Sequence, residues 1–202
     1  MLFEDTYRTI AEPAKGEFKD RGSKFMAFAY PIASEADIKP ILNKLRAEHS
    51  KANHHCWAMR LSPDRSIFRV NDDGEPSGTA SRPILNTLLS HNLTNVLVVV
   101  VRYFGGTLLG VPGLINAYKT AVEGAIKSAT VIEKVVCDMY SIQFEYALMN
   151  EVMRVIKQEN LEVLKQMMED GCEVHVGVRK SAVERVVPVL QNINGVKLSW
   201  VG

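Results

Sequence analysis

The sequence predicts an α+β chain of two domains, residues 1–135 and 136–202, on three observations. Residues 95–118, NVLVVVVRYFGGTLLGVPGLINAY, pass from a continuous β-branched run through Gly105, Gly106 and Gly110 into helical spacing. The C-terminal part alternates strand and helix patterns in the order βαββαβ, which is the ferredoxin-like order. A length of 202 residues with 47% hydrophobic content suits one or two domains with a substantial core.

The elements follow in order. Residues 15–20 and 23–31 read as strands around the turn Arg21-Gly22, because Phe18, Phe25, Ala27 and Ala29 alternate. Ser34, with Asp37 three residues on, is a capping pair for a helix whose stripe is Ile38, Ile41, Leu42 and Leu45. Residues 55–61 and 66–70 read as a hairpin joined through Pro63 and Asp64. Residues 71–85, NDDGEPSGTASRPIL, abandon periodicity for turn formers, and Ser77 and Thr79 are candidate caps for a helix through Ile84, Leu85, Leu88 and Leu89. The run 96–101 predicts a central strand buried on both faces, with Arg102, Tyr103 and Phe104 at its mouth. Leu114, Ala117, Tyr118, Ala121, Val122, Ala125 and Ala129 then mark a long helix. Beyond residue 135, strands are expected over 137–146, 161–168, 172–178 and 196–201, with a hairpin turn at Glu169, Asp170 and Gly171. Helical stripes fall at Leu148, Val152, Val155, Ile156 and at Val183, Val186, Val187, Leu190, Ile193. Ser181 with Glu184 reads as a capping box for the second, and Pro188 falls inside it.

A net charge of +1 leaves no global footprint for nucleic acid, although residues 1–135 carry a mild positive excess and 136–202 a mild negative one. No apolar run reaches the roughly 20 residues of a membrane helix, and the first residues have acids where a signal peptide would need a basic and then an apolar segment. A cytoplasmic protein is the expectation. Cys56, Cys137 and Cys172, odd in number and set among apolar residues, read as buried free thiols.

Several motifs bear on chemistry. Gly105, Gly106, Thr107 and Gly110 form a glycine turn before a helix, where backbone N–H groups favour a phosphate. Val111 and Pro112 stand where a Walker loop needs Lys and Ser or Thr, and the order G-x-G-x-x-G is absent. Tight turning and close packing explain the same glycines equally well. Asp72, Asp73 and Glu75 could bind a divalent cation or act as an acid and base pair, although their spacing does not make a calcium loop; the other reading is that they cap turns or pair with Arg82 or Arg102. His54 and His55 point to opposite faces of a strand, so with Cys56 they do not easily share one metal. No cofactor and no metal are expected.

DDGEPSGTASRPIL at 72–85 and VVVRYFGGTLLGVPGLINAYKTA at 99–121 together resemble the paired signatures of the YigZ/IMPACT family, and residues 21–25 with His55 and Cys56 fit its N-terminal pattern. The resemblance implies an N-terminal β-α-β domain like domain IV of elongation factor G, and a C-terminal ferredoxin-like domain akin to domain V. It also implies a bacterial-type member without the N-terminal extension through which eukaryotic members regulate translation. Relatives commonly carry Gly near Ser81, Lys near Leu108, Gly near Pro112 and Arg near Asn116. Without that Lys and Arg, binding to phosphates is expected to be weaker, or confined to Arg102, Lys119, Arg82 and the Arg21/Lys24 turn.

The expected function is therefore a non-enzymatic RNA- or ribosome-binding protein of translation regulation. Arg102, Tyr103, Arg82, Lys119, Arg21 and Lys24 meet the nucleic acid, and the glycine turn meets a phosphate. One alternative is a hydrolase-type enzyme on a small phosphorylated or peptide-like substrate, using Asp72, Asp73, Glu75 and His55. Another is a scaffold that docks a protein partner through the C-terminal sheet. Neither a membrane nor a small molecule is the expected partner.

Overall fold

A strand that is apolar on both faces must be covered on both, and the structure does this with helices on either side of one sheet. The computed structural model describes residues 5–168 and 171–202. It is a mixed α and β architecture with three sheets. The chain divides into two units, residues 7–134 and residues 5–6 with 135–202.

Along the larger unit run β1 (Thr6–Ile10), β2 (Ala14–Asp20), β3 (Ser23–Pro31), α1 (Ile38–Glu48), β4 (His54–Leu61), β5 (Ile67–Asn71), α2 (Ser81–Ser90), β6 (Val96–Tyr103), α3 (Gly110–Ser128) and β7 (Val131–Val135). The strand order is β2-β3-β6-β4-β5, every neighbouring pair antiparallel, with the β-branched run in the middle as β6. Val96, Val98 and Val100 join Phe25, Cys56 and Ala58 under α2 and α3, whereas Leu97, Val99 and Val101 join Phe28, Met59 and Leu45 under α1. Period-2 alternation thus sends successive valines into two separate cores. The turn between β2 and β3 has φ of 44° at Arg21 and 78° at Gly22, the positive pair that a two-residue hairpin turn of type I′ needs. Asp37 accepts the N–H groups of Ala33 and Ser34 just ahead of α1. Strands β1 and β7, which pair with each other, have no counterpart in the sequence reading.

The smaller unit contains β8 (Cys137–Phe144), α4 (Met149–Gln158), β9 (Glu162–Met168), β10 (Cys172–Arg179), α5 (Val183–Gln191) and β11 (Lys197–Trp200). Its strands are ordered β11-β8-β10-β9, all antiparallel. Ile142, Phe144, Val174 and Val176 face α4 and α5. The alternate positions form the other face, where Glu173 accepts hydrogen bonds from Ser141 at 2.6 Å and from His175 at 2.7 Å. Those two partners hold its carboxyl down to about 2. Of the expected hairpin turn, Glu169 and Asp170 lie outside the described residues. Helix α5 continues through Pro188. Ser181 does not cap it: its N–H donates to the Asp5 carboxylate at 2.8 Å and its hydroxyl to the other oxygen of Asp5, so the anticipated box with Glu184 gives way to a long-range tie. Val136 N–H also donates to the Asp5 carbonyl. All three cysteines are free, Cys56 and Cys172 buried and Cys137 half-buried. Among the described residues no helix is long and apolar enough to cross a membrane.

Helix α3 sits so close on β2 that a Cβ on Gly16 would lie 2.2 Å from Ala125 N and 2.6 Å from the Ala121 carbonyl oxygen. The facing Gly124 has room, since its Cβ would meet nothing nearer than 3.6 Å. Gly16→Ala is therefore expected to lower unfolding free energy by about 1–3 kcal/mol or more, while Gly124→Ala, inside a helix, raises it by up to about 1 kcal/mol. Urea denaturation midpoints of the two variants check this opposite pair.

Candidate functional site

One end of the α2/α3 side of the sheet is polar. Alternation along β6 puts Arg102 on the same side as Val100, and the register sets it opposite Phe25 of β3 and His54 of β4. Arg102 is only 5% exposed. Its guanidinium stands 5.3 Å from the Phe25 ring centroid and 5.6 Å from that of Phe104. The countercharge comes from the loop after β5: Glu75 Oε1 lies 2.5 Å from Arg102 Nη1 and accepts the Tyr118 hydroxyl at 2.7 Å. His54 Nε2 approaches the same oxygen at 3.9 Å. Cys56 Sγ donates to the Asp72 carbonyl at 2.9 Å and lies 3.3 Å from Tyr118 Oη. Burial pushes the Cys56 thiol well above its ordinary range, and burial together with Cys56 and Glu75 does the same to Tyr118. Both stay protonated, so this thiol is no thiolate nucleophile at neutral pH.

The three acids of the loop are turned to three different partners. Asp72 is the true cap of α2: its carboxylate accepts from Gly78 at 2.9 Å, Ala80 at 3.3 Å and Ser81 at 2.8 Å. The anticipated caps are otherwise placed, Thr79 bonding the Pro76 carbonyl and Ser77 exposed. Burial works to raise the Asp72 carboxyl, but the donors of Gly78, Ser81 and Ala80 prevail and hold it below the ordinary range. Asp73, with φ of 44°, accepts the His55 N–H at 2.7 Å and pairs with Arg46 at 3.3 Å. His55 is 6% exposed, and burial depresses its pKa despite Asp73.

The expected mouth of Arg102 and Tyr103 is corrected by the same alternation. Adjacent on β6, they point to opposite faces: Arg102 to Glu75, Tyr103 to His49, whose Nδ1 lies 2.9 Å from its hydroxyl. The glycine turn is largely a packing device. A Cβ on Gly105 would fall 1.9 Å from Gly22 C, and its N–H already donates to Ser23 Oγ at 3.1 Å. The neighbouring Phe104 N–H is held by Asn53 at 2.8 Å. Gly106 and Gly110, with φ of 86° and 71°, supply the reversal that β-carbons disfavour. Thr107 is exposed beside them, and Leu108 is 80% exposed.

Among the remaining cations, Lys24 pairs with Glu17 at 2.9 Å and Arg21 is exposed at the hairpin tip, against whose Gly22 the Gly105 turn packs. Arg82 and Lys119 come together. Both line an open groove of about 400 Å³ between α2 and α3, with Gly78, Pro83, Asn86, Thr87, Ser90 and Ile115. Lys119 also pairs with Glu123 at 3.7 Å across exposed surface. The sequence reading missed this groove as a unit, and missed Tyr118 as a polar partner. A buried tyrosine always raises the question of where its hydroxyl goes.

Comparison with known proteins agrees with the motifs. The family model described as the Impact N-terminal domain matches residues 21–126. An IMPACT family member of Haemophilus influenzae is 30% identical over 164 residues, covering 80% of this chain and 80% of that protein. The IMPACT family member YigZ of Escherichia coli is 37% identical over 126 residues, 61% of this chain and 62% of that one. A crystal structure described as that of a hypothetical protein superposes with a TM-score of 0.71 at 26% identity, covering 98% of both chains.

Truncating one partner of the buried pair leaves the other charge without a counterion. Arg102→Met is expected to cost about 3–5 kcal/mol, and Arg102→Met with Glu75→Leu to recover most of the loss, read by chemical denaturation. Because the Asp72 carboxyl is depressed in the fold, its stabilisation is complete above the ordinary carboxylate value near 4 and is lost as pH falls through the lower, folded-state value. Denaturation across that acid range should therefore show a shallower fall for Asp72→Asn than for the parent, from a starting point about 1–2 kcal/mol lower.

Proposed function

Since this chain belongs to the IMPACT family, we propose that it is a non-enzymatic RNA- or ribosome-binding protein that regulates translation in the cytoplasm. The observation that carries the reading is the convergence of Arg82 and Lys119 on one open groove of the larger unit. Two exposed cations separated in sequence but joined on one surface are what phosphate contacts need for positioning. Support for the absence of catalysis comes from the acids and the thiol. Asp72, Asp73 and Glu75 are each engaged in capping or ion pairing, and Cys56 is held protonated.

We read the smaller unit as a ferredoxin-like domain resembling domain V of elongation factor G. The strand order β11-β8-β10-β9 with α4 and α5 on one face supports this. The larger unit is read as the counterpart of domain IV. Arg21 at the hairpin tip extends the cationic surface in this reading, whereas Arg102 acts inside by holding the loop that ends at α2.

Titration of purified ribosomal subunits or structured ribosomal RNA from about 50 to 200 mM salt tests the proposal. The logarithm of the affinity should fall linearly with the logarithm of salt, and Arg82→Ala and Lys119→Ala should each reduce the slope by about 0.7–0.9. Lys44→Ala, on the helix covering the opposite face of the sheet, should leave it unchanged. Absence of binding at the lowest salt, or equal slopes for all four proteins, would overturn the proposal.

A further inference from the structure

We infer that the α2–α3 groove seats a single unstacked nucleotide, so that this protein selects single-stranded over duplex RNA. The inference rests on the RNA-binding reading and names the ligand class of that same surface. A groove of about 400 Å³ lies within the range of sites for one small ligand. It is mixed in character: Arg82 and Lys119 supply positive charge, while Pro83 and the 39% exposed Ile115 supply an apolar wall. A nucleotide has the matching halves, an anionic phosphate and a flat apolar face. In a duplex the base faces are stacked and turned inward, so only a splayed nucleotide can use the charge and the wall together.

The polar groups of the groove narrow the recognition further. Thr87 Oγ1 donates to the Pro83 carbonyl at 2.8 Å and Ser90 Oγ to the Thr87 carbonyl at 2.9 Å, so both hydroxyl protons are spent within α2. Asn86 is exposed on the same helix face, with a donor and an acceptor suited to a base edge. Phosphate capture is assigned to the side chains, because Asp72 already accepts the N–H groups of Ala80 and Ser81 at the start of α2. Among the described residues Arg82 makes no ion pair, and the Lys119 pair with Glu123 is exposed on both sides and easily exchanged.

Fluorescence anisotropy with a short labelled single-stranded RNA, and with the same strand annealed to its complement, tests the inference on the full chain at low salt. The single strand should bind at least about tenfold more tightly than the duplex. Ile115→Ser, at an exposed position, should weaken single-strand binding by about tenfold with the salt slope unchanged, whereas Lys119→Ala lowers affinity and slope together. Asn86→Ala should weaken single-strand binding and leave any duplex binding as it was. Equal affinity for strand and duplex, or no change with both Ile115→Ser and Asn86→Ala, would overturn the nucleotide seat while leaving RNA binding intact. Failure of both RNAs to bind would remove the RNA reading and the seat with it.

Discussion

The ion pair between Glu75 and Arg102 is the interaction on which the arrangement of the larger unit depends. Arg102 is fixed by the register of β6 between β3 and β4, and Glu75 belongs to a loop with no regular structure of its own. With both side chains almost fully buried, each charge holds the other in place. Such a pair adds little net stability over apolar packing, but it penalises heavily any state in which the loop swings away. Tyr118 extends the constraint to α3 through the same carboxylate oxygen. Asp72, three residues earlier, then holds the first turn of α2. One buried carboxylate and one cap thus couple the sheet, the loop and both helices that border the groove.

The signature residues divide by this logic into those that build and those that remain available. Asp72, Glu75, Tyr118 and Gly105 have their charge, hydrogen bonds or close contacts satisfied within the protein, and Arg102 has its charge paired there. Arg82, Ile115 and Lys119, with Asn86 just beyond the first signature, are exposed around one opening. The cost of leaving a buried ion unpaired, several kcal/mol, is ample reason for the first group to occur as a set. The second group carries no such penalty, and it is the set to which the proposed function assigns contact with a partner.

Much of the fold was legible because burial is periodic. The valine run, the stripe of α3 and the alternation in β8 and β10 each state which side faces a core. The site was less legible, for reasons visible in particular residues. The alternation that separates His54 from His55 also separates Arg102 from Tyr103, and reading the latter two as one mouth passed over it. The capping of α2 by Asp72 spans nine residues, beyond any local capping pattern. Arg82 and Lys119 meet only because two helices pack side by side, and helical spacing reports the buried stripe, not which exposed faces become neighbours. Strands β1 and β7 are short and find their pairing more than a hundred residues apart in the chain.

The tie from Asp5 to Val136 and Ser181 has a consequence for the order in which the molecule can be completed during synthesis. Residues 5 and 6 leave the ribosome ahead of the larger unit, yet the unit they belong to resumes only at residue 135. Throughout translation of the larger unit they wait without their final partners, and the smaller unit closes around them only once the region of Ser181 has emerged. Synthesis from the N-terminus therefore finishes the two units in the reverse of the order in which it begins them.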